Sequence, residues 1–318
     1  MENNRITNTF ELSKDNKRYH TYNYYLREKF GKKVCKVPIN LGLSCPNRDG
    51  TKGVGGCTYC SAELSGEFAG NPQESIKAQY EAVRKSMRTK WNDAVCIPYF
   101  QAGTNTYAKT DFLKSVFDEA IGFEDAVGLS IATRADCITE EIADMLSDLS
   151  KKTYLVVELG LQTVHDKTAE RINRCHNYED FLRGYKLLDD RGINICVHLI
   201  NGLPDETREM MVTSARKVAQ LKPHAVKLHL LHIITGTKMY DEFVEGLVIP
   251  MTLEDYVEVV CDQLEVLPRE TVIERVTGDG AKETLVAPLW SLKKFCVMNE
   301  IDKEMGRRNS YQGFSCTE

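Results

Sequence analysis

Six short runs rich in β-branched and aromatic residues recur along the chain, at Val34–Leu43, Ala94–Phe100, Val127–Thr133, Tyr154–Leu161, Ile193–Ile200 and Ala225–Ile233. Between them lie longer stretches in which apolar residues return every three or four positions. Each stretch is long enough to hold a crossover helix, so the runs are predicted to be parallel strands.

The stretch after Asn71-Pro72 puts Ile76, Tyr80, Val83, Met87 and Trp91 on one face, with Asn71 as N-cap and Pro72 at the first helical position. Thr110 opens a second helix carrying Leu113, Val116, Phe117 and Ala120. Thr139 opens a third carrying Ile142, Met145, Leu146 and Leu149. A fourth runs from about Tyr178 to Asp190 before Gly192, and a fifth from about Glu206 to Leu221 before Pro223. Six βα units in succession predict an α/β fold, a partial (β/α)6 TIM-like barrel, with a doubly wound open sheet as the competitor. In either, a ligand sits at the C-terminal ends of the strands. The expected organisation is an N-terminal extension over 1–33, a barrel over 34–240 and a C-terminal extension over 241–318 that closes the barrel.

At 318 residues and 42% hydrophobic content the chain can bury a large core. Its formal charge is −5, yet residues 1–40 carry nine Lys and Arg against four Asp and Glu. That basic segment on an acidic body is either a phosphate contact or a solvated extension. No apolar run reaches 18 residues, and Met1–Glu11 has no hydrophobic core, so a cytoplasmic protein without a membrane span is expected. Eleven cysteines in a reducing compartment point to metal ligation rather than a disulfide framework.

Three of those thiols, Cys45, Cys57 and Cys60, fall in one loop directly after the first strand, with four glycines at Gly50, Gly53, Gly55 and Gly56. Thiolates ligate iron–sulfur clusters, and three of them leave one iron open to a cofactor. The rival is structural zinc, which needs a fourth ligand. Cys35 is the candidate for it, but it lies inside an alternating strand, Val34-Cys35-Lys36-Val37. The remaining cysteines show no ligand spacing among themselves, so a second cluster is not expected.

The loop, with Tyr59 just before its last cysteine, resembles that of the radical S-adenosylmethionine superfamily. The strings Cys-Pro-Asn-Arg-Asp-Gly-Thr (45–51), Tyr-Phe-Gln-Ala-Gly-Thr-Asn-Thr-Tyr (99–107), Glu-Leu-Gly-Leu-Gln-Thr (158–163), Arg-Ile-Asn-Arg (171–174), Gly-Leu-Pro (202–204) and Lys-Leu-His-Leu-Leu-His (227–232) resemble a bacterial subfamily related to the catalytic subunit of Elongator. The resemblance spans about residues 20 to 290. It implies a [4Fe-4S] cluster on Cys45, Cys57 and Cys60, and S-adenosyl-L-methionine chelating the open iron. It further implies reductive cleavage to a 5′-deoxyadenosyl radical, an oxygen-sensitive protein, and an electron donor such as a flavodoxin or ferredoxin.

On the same basis Gln101, Gly103, Thr104 and Asn105 lie near the methionine moiety, and Glu158 and Gln162 near the ribose or amino group. A carboxylate within Leu155-Val156-Val157-Glu158-Leu159 must be paired or face a cavity. Arg134 and Arg171 are candidate partners of the cofactor carboxylate, whereas Arg174 reads as a surface arginine. His198 and His229 are candidate catalytic residues. His229 and His232, three apart, are expected on opposite faces of one strand. The block Glu274–Lys282, with Ala287–Trp290 after it, is a candidate for closing the barrel and touching substrate. The Elongator-like motifs imply a tRNA wobble uridine as substrate. No acetyltransferase domain is expected to follow the barrel. The alternatives are a small-molecule substrate, or a zinc-stabilised nucleic-acid-binding module without catalysis.

Overall fold

The computed structural model describes residues 10–64 and 66–316; the start of the basic stretch, residues 1–9, lies outside the described residues. The six expected strands form as β1 (Val34–Ile39), β2 (Val95–Phe100), β3 (Gly128–Thr133), β4 (Tyr154–Gln162), β5 (Asn194–Asn201) and β6 (Ala225–Leu230). Three shorter ones follow, β7 (Ile233–Ile234), β8 (Val272–Arg275) and β9 (Leu285–Ala287). Strands β1 to β6 pair in chain order and β8 adds to β6, giving a seven-stranded parallel sheet, while β7 and β9 form a small antiparallel pair. The half-barrel therefore carries one strand more than six βα units supply. Residues beyond 240 extend the sheet as well as cover it.

Among the described residues ten α-helices accompany it: α1 (Tyr22–Phe30), α2 (Ile76–Arg88), α3 (Thr110–Ile121), α4 (Glu140–Ser150), α5 (Asp166–Arg171), α6 (Tyr178–Asp189), α7 (Arg208–Gln220), α8 (Lys238–Val244), α9 (Leu253–Val266) and α10 (Lys294–Arg307). Threonine hydroxyls cap α1, α4, α7, α8 and α9 by accepting from a backbone N–H in the first turn. Two expected caps differ. Ser75, not Asn71, caps α2, because Asn71 spends its side chain on an Asx turn to Gln73 N. Thr110 is the first helical residue of α3, and its N-cap Lys109 makes no side-chain bond.

Strand parity sorts the core. Outward positions such as Val37, Phe100, Leu129, Val157, Val197 and Leu228 are fully buried under the helices. Inward positions at the strand starts, among them Val156, Cys196, Ala225 and Val272, pack against Tyr22 and Tyr25. Helix α1 thus packs into the N-terminal end of the half-barrel, and of the two readings of the basic segment the solvated extension does not hold for this part of it. Arg18 is buried and donates to Ser310 O, Lys17 pairs with Asp302, and Lys36 points into the barrel. Three of the nine basic residues are thereby withdrawn from any phosphate surface.

Gly184 in α6 presses against the turn that follows β3, and a Cβ there would sit on the carbonyl of Ala135. Backbone cannot yield as a side chain does, so Gly184→Ala is expected to destabilise by about 1–3 kcal/mol, read as a lower urea midpoint. An unchanged midpoint would show that this helix is free to move.

Candidate active site

The interior is built in layers. Above the apolar layer packed by α1, each of the seven strands sends one polar side chain inward: Lys36, Tyr99, Ser130, Glu158, His198, Lys227 and Glu274. Glu158, with no exposed surface, accepts from Lys36 Nζ (2.5 Å), Ser130 Oγ (2.5 Å), Tyr99 OH (2.9 Å), the nearby His198 Nε2 (2.8 Å) and Lys227 Nζ. Lys36 also reaches Glu274 Oε2 at 2.7 Å, joining β1 to β8 across the edge where no ladder pairs them. Burial opposes the charge on Glu158, but Lys227 and Lys36 beside it hold its pKa well below the usual range. Burial likewise opposes the charge on Lys36, and the two carboxylates hold its pKa up.

A cavity of about 870 Å³ lies over this layer at the C-terminal ends of the strands and continues along β1 to Val34, Cys35 and Trp91. Cys45, Cys57, Cys60, Tyr59, Gln101, Gly103, Thr104, Arg134, Gln162, His198 and His229 all line it, and Glu158 reaches it from below. The cysteine loop is held by the segment after α5. Asn173 donates to the carbonyls of Gly56 (2.8 Å) and Val54 (3.1 Å), and Thr58 N donates to Ile172 O at 3.0 Å. Asn47, fully buried, donates to Asn173 O and lies 3.7 Å from Cys57 Sγ. Gly56, at φ +78°, makes room for Arg48, which donates to the carbonyls of Cys60, Ser61 and Ala62.

Arg174 departs most from expectation. It is buried, its Nη2 donates to Gly160 O at 2.5 Å, and its Nη1 lies 3.7 Å from Cys57 Sγ. Burial works against its charge, but Cys57 and Tyr59 outweigh that and raise its pKa. Gly103, at φ +77°, approaches the cysteine loop so closely that a Cβ would meet Leu43 O. The main-chain bonds Gly103 N to Leu64 O and Thr104 N to Ser44 O pin the two loops together.

Other expected contacts are placed differently. Asn105 donates to the carbonyls of Phe100 and Ala132, tying β2 to β3, and does not line the cavity. Arg171 forms a bidentate pair with Glu242 of α8, also away from the cavity. Arg134 commits its fork to Asp136, with a further bond to Arg174 O. Gln162, at φ +77° on the β4 bulge, keeps a buried Oε1 without a hydrogen-bond partner among the described residues. His229 and His232 both line the cavity, because β6 ends at Leu230 and strand alternation stops there.

The donor set suits a thiolate-bound group: three cysteines line one cavity, and an amide and a guanidinium aim N–H groups at Cys57. No three His, Cys, Asp or Glu side chains among the described residues are placed to hold a single ion. A cluster is ligated at separate iron corners, so its thiolates need not converge on one point. Cys35 stands at the start of β1, four residues and about 13 Å of strand before Ile39. It lines the same cavity as the loop thiols, but no such group of ligands forms around it among the described residues.

A half-barrel with a charge-balanced layer at mid-height and thiols at its strand ends is the architecture of an enzyme that works at those ends. The chain belongs to the radical SAM superfamily, which it matches over residues 40–218, with the radical SAM C-terminal domain matched over 223–307. It is 47% identical to the Bacillus subtilis (strain 168) protein YtqA over 96% of this chain and 95% of that one. It is 31% identical to a Methanocaldococcus jannaschii tRNA uridine(34) acetyltransferase over 48% of this chain, spanning 28% of that longer protein. The solved archaeal Methanocaldococcus infernus Elp3 superposes with TM-score 0.63 at 17% identity, covering 88% of this chain and 64% of that one. The chain is thus a radical SAM enzyme whose cofactors are a [4Fe-4S] cluster and S-adenosylmethionine, and the zinc-module reading falls away. No helix among the described residues is long and apolar enough to cross a membrane.

Burial lowers the pKa of His20, His176, His198, His224, His229 and His232, to about 3 for His176 and about 4 for His224 and His232. A histidine kept neutral in the fold but protonated when unfolded makes unfolding easier as pH falls from about 6.5 toward 4, by up to about 1.4 kcal/mol per pH unit each. Glu206 and Asp302, raised by burial, act the opposite way but are two against six. The urea midpoint should therefore fall between pH 7 and pH 5. A flat profile would mean that these imidazoles take up protons in the folded protein.

Proposed function

We propose that Cys45, Cys57 and Cys60 ligate the cluster, that S-adenosylmethionine lies against Gln101, Gly103, Thr104 and Gln162, and that the enzyme modifies the wobble uridine of a tRNA. The ligand assignment rests on one observation: the three thiols share a cavity with a guanidinium and an amide directed at Cys57. When bound, the cluster supplies the electron for reductive cleavage of the sulfonium. The chain's part is to fix the thiolates, exclude water and orient the substrate. Arg174 and Asn47 stabilise negative charge on Cys57. An electron donor such as a flavodoxin or ferredoxin completes the reaction.

The tRNA assignment is supported by the relative whose printed activity is on tRNA uridine(34) and by the exposed Lys14, Arg27, Lys29 and Lys32 near the N-terminus. Salt-sensitive retention follows if such residues neutralise phosphates.

Anaerobically purified protein should contain about four irons and four sulfides per chain, with a large loss in Cys57→Ala. It should be retained on immobilised tRNA at low salt and released as salt rises. Unchanged iron in Cys57→Ala would overturn the ligand assignment. Absence of tRNA retention would favour a small-molecule substrate.

A further inference from the structure

The cavity has two unlike walls. The cysteine loop and the ends of β2 and β4 form the side assigned to the cofactor. The opposite side comes from the end of β6 and the turn after β8. There His229 and His232 each bury an Nε2 atom that has no hydrogen-bond partner among the described residues. His232 lies against Gly278, where a Cβ would come within 2.8 Å of the ring, so close packing holds the imidazole in place. His229 stacks at a tilt on His198, with ring centroids 5.3 Å apart.

Burial and Arg275 keep the His229 ring neutral, with His198, Lys227 and His232 acting in the same direction. His232 is held neutral by burial, against Asp279 and Glu67 and with Arg275. Glu67 belongs to the stretch after the cysteines, so its action on His232 brings the two walls face to face. Beside it Phe68, 53% exposed, lines the same cavity.

We infer that His229 and His232 read the edge of a single unpaired pyrimidine base stacked on Phe68, and so select uracil over cytosine; this rests on the tRNA reading above. A neutral imidazole offers one N–H donor and one nitrogen acceptor. With one Nε2 as N–H donor and the other as acceptor, the pair matches a carbonyl beside a ring N–H, as in uracil; cytosine, with an amino group beside a ring acceptor, would need both tautomers exchanged, and an ionised phosphate or carboxylate offers no N–H to the accepting ring. RNA bases in loops are splayed out and read in this way, by stacking on an aromatic face and by bonds to the base edge.

The test uses two anticodon stem-loop RNAs that differ only in uridine or cytidine at the wobble position, titrated anaerobically at low salt with S-adenosylmethionine present. The wild-type enzyme is expected to bind the uridine RNA about tenfold tighter or more, since buried polar atoms left unpaired penalise the wrong base. His229→Ala combined with His232→Ala is expected to bind both RNAs equally with the salt dependence unchanged. Phe68→Ala, at an exposed position that does not threaten folding, is expected to weaken both RNAs by about five- to a hundredfold through lost stacking. Discrimination that survives in the double variant, or a wild-type enzyme that binds both RNAs equally, overturns the base site and leaves the tRNA reading standing. A wild-type enzyme that binds neither RNA overturns both.

Discussion

A carboxylate with no contact to water sits at the centre of this fold, and much of the structure can be understood as what Glu158 requires. Moving one such ion into the interior costs several kcal/mol even after relaxation. No partner on its own strand can offset that, because strand neighbours point the other way. The donors come instead from β1, β2, β3, β5 and β6, one side chain each. A register slip of one residue on any of those strands would swing its donor to the outer face and leave the ion uncompensated. The charge layer therefore fixes the strand register as firmly as the apolar packing does.

The same layer explains how an incomplete barrel can be tight. Strands β1 and β8 share no ladder, yet Lys36 bonds to both Glu158 and Glu274 and holds the two edges together. Below it, α1 fills the strand starts with Tyr22 and Tyr25. With two lysines against two glutamates, the layer sets up little net field toward the cavity. The charges that act there are local: Arg174 at Cys57, and Arg275 near the histidines.

The sequence made some of this legible and concealed the rest for identifiable reasons. The six long strands stood out because their β-branched runs are interrupted by helical periodicity, and the three cysteines because thiols so spaced in a glycine loop have few other uses. Glu158 could be seen to need a partner, since it lies in an otherwise apolar run, but Lys36 and Lys227 are 122 and 69 residues away and nothing local points to them. Strand β8 is only four residues long, too short for a periodicity signal. Helix α1 was hidden by its polar composition, since its inward tyrosines carry hydroxyls. Arg174 looked like a surface residue because its burial arises from the fold of the loop around it. His229 and His232 were set on opposite faces because parity was carried two residues past the end of the strand.

The order of the strands also divides the cavity. In a parallel half-barrel the loops above the sheet follow one another round the rim in chain order, so chemistry carried early in the sequence faces chemistry carried late. Here the early loops bring sulfur and the late loops bring imidazole. A reaction that abstracts a hydrogen atom needs the substrate held still more than it needs an ionised base, and a histidine kept neutral by burial suits holding better than proton transfer. Neutrality has a second benefit beside thiolates: two imidazolium ions on the far wall would attract the negative charge of the cysteine loop and compete with Arg174 and Asn47 for it. Keeping the late wall uncharged lets the early wall set its own electrostatics.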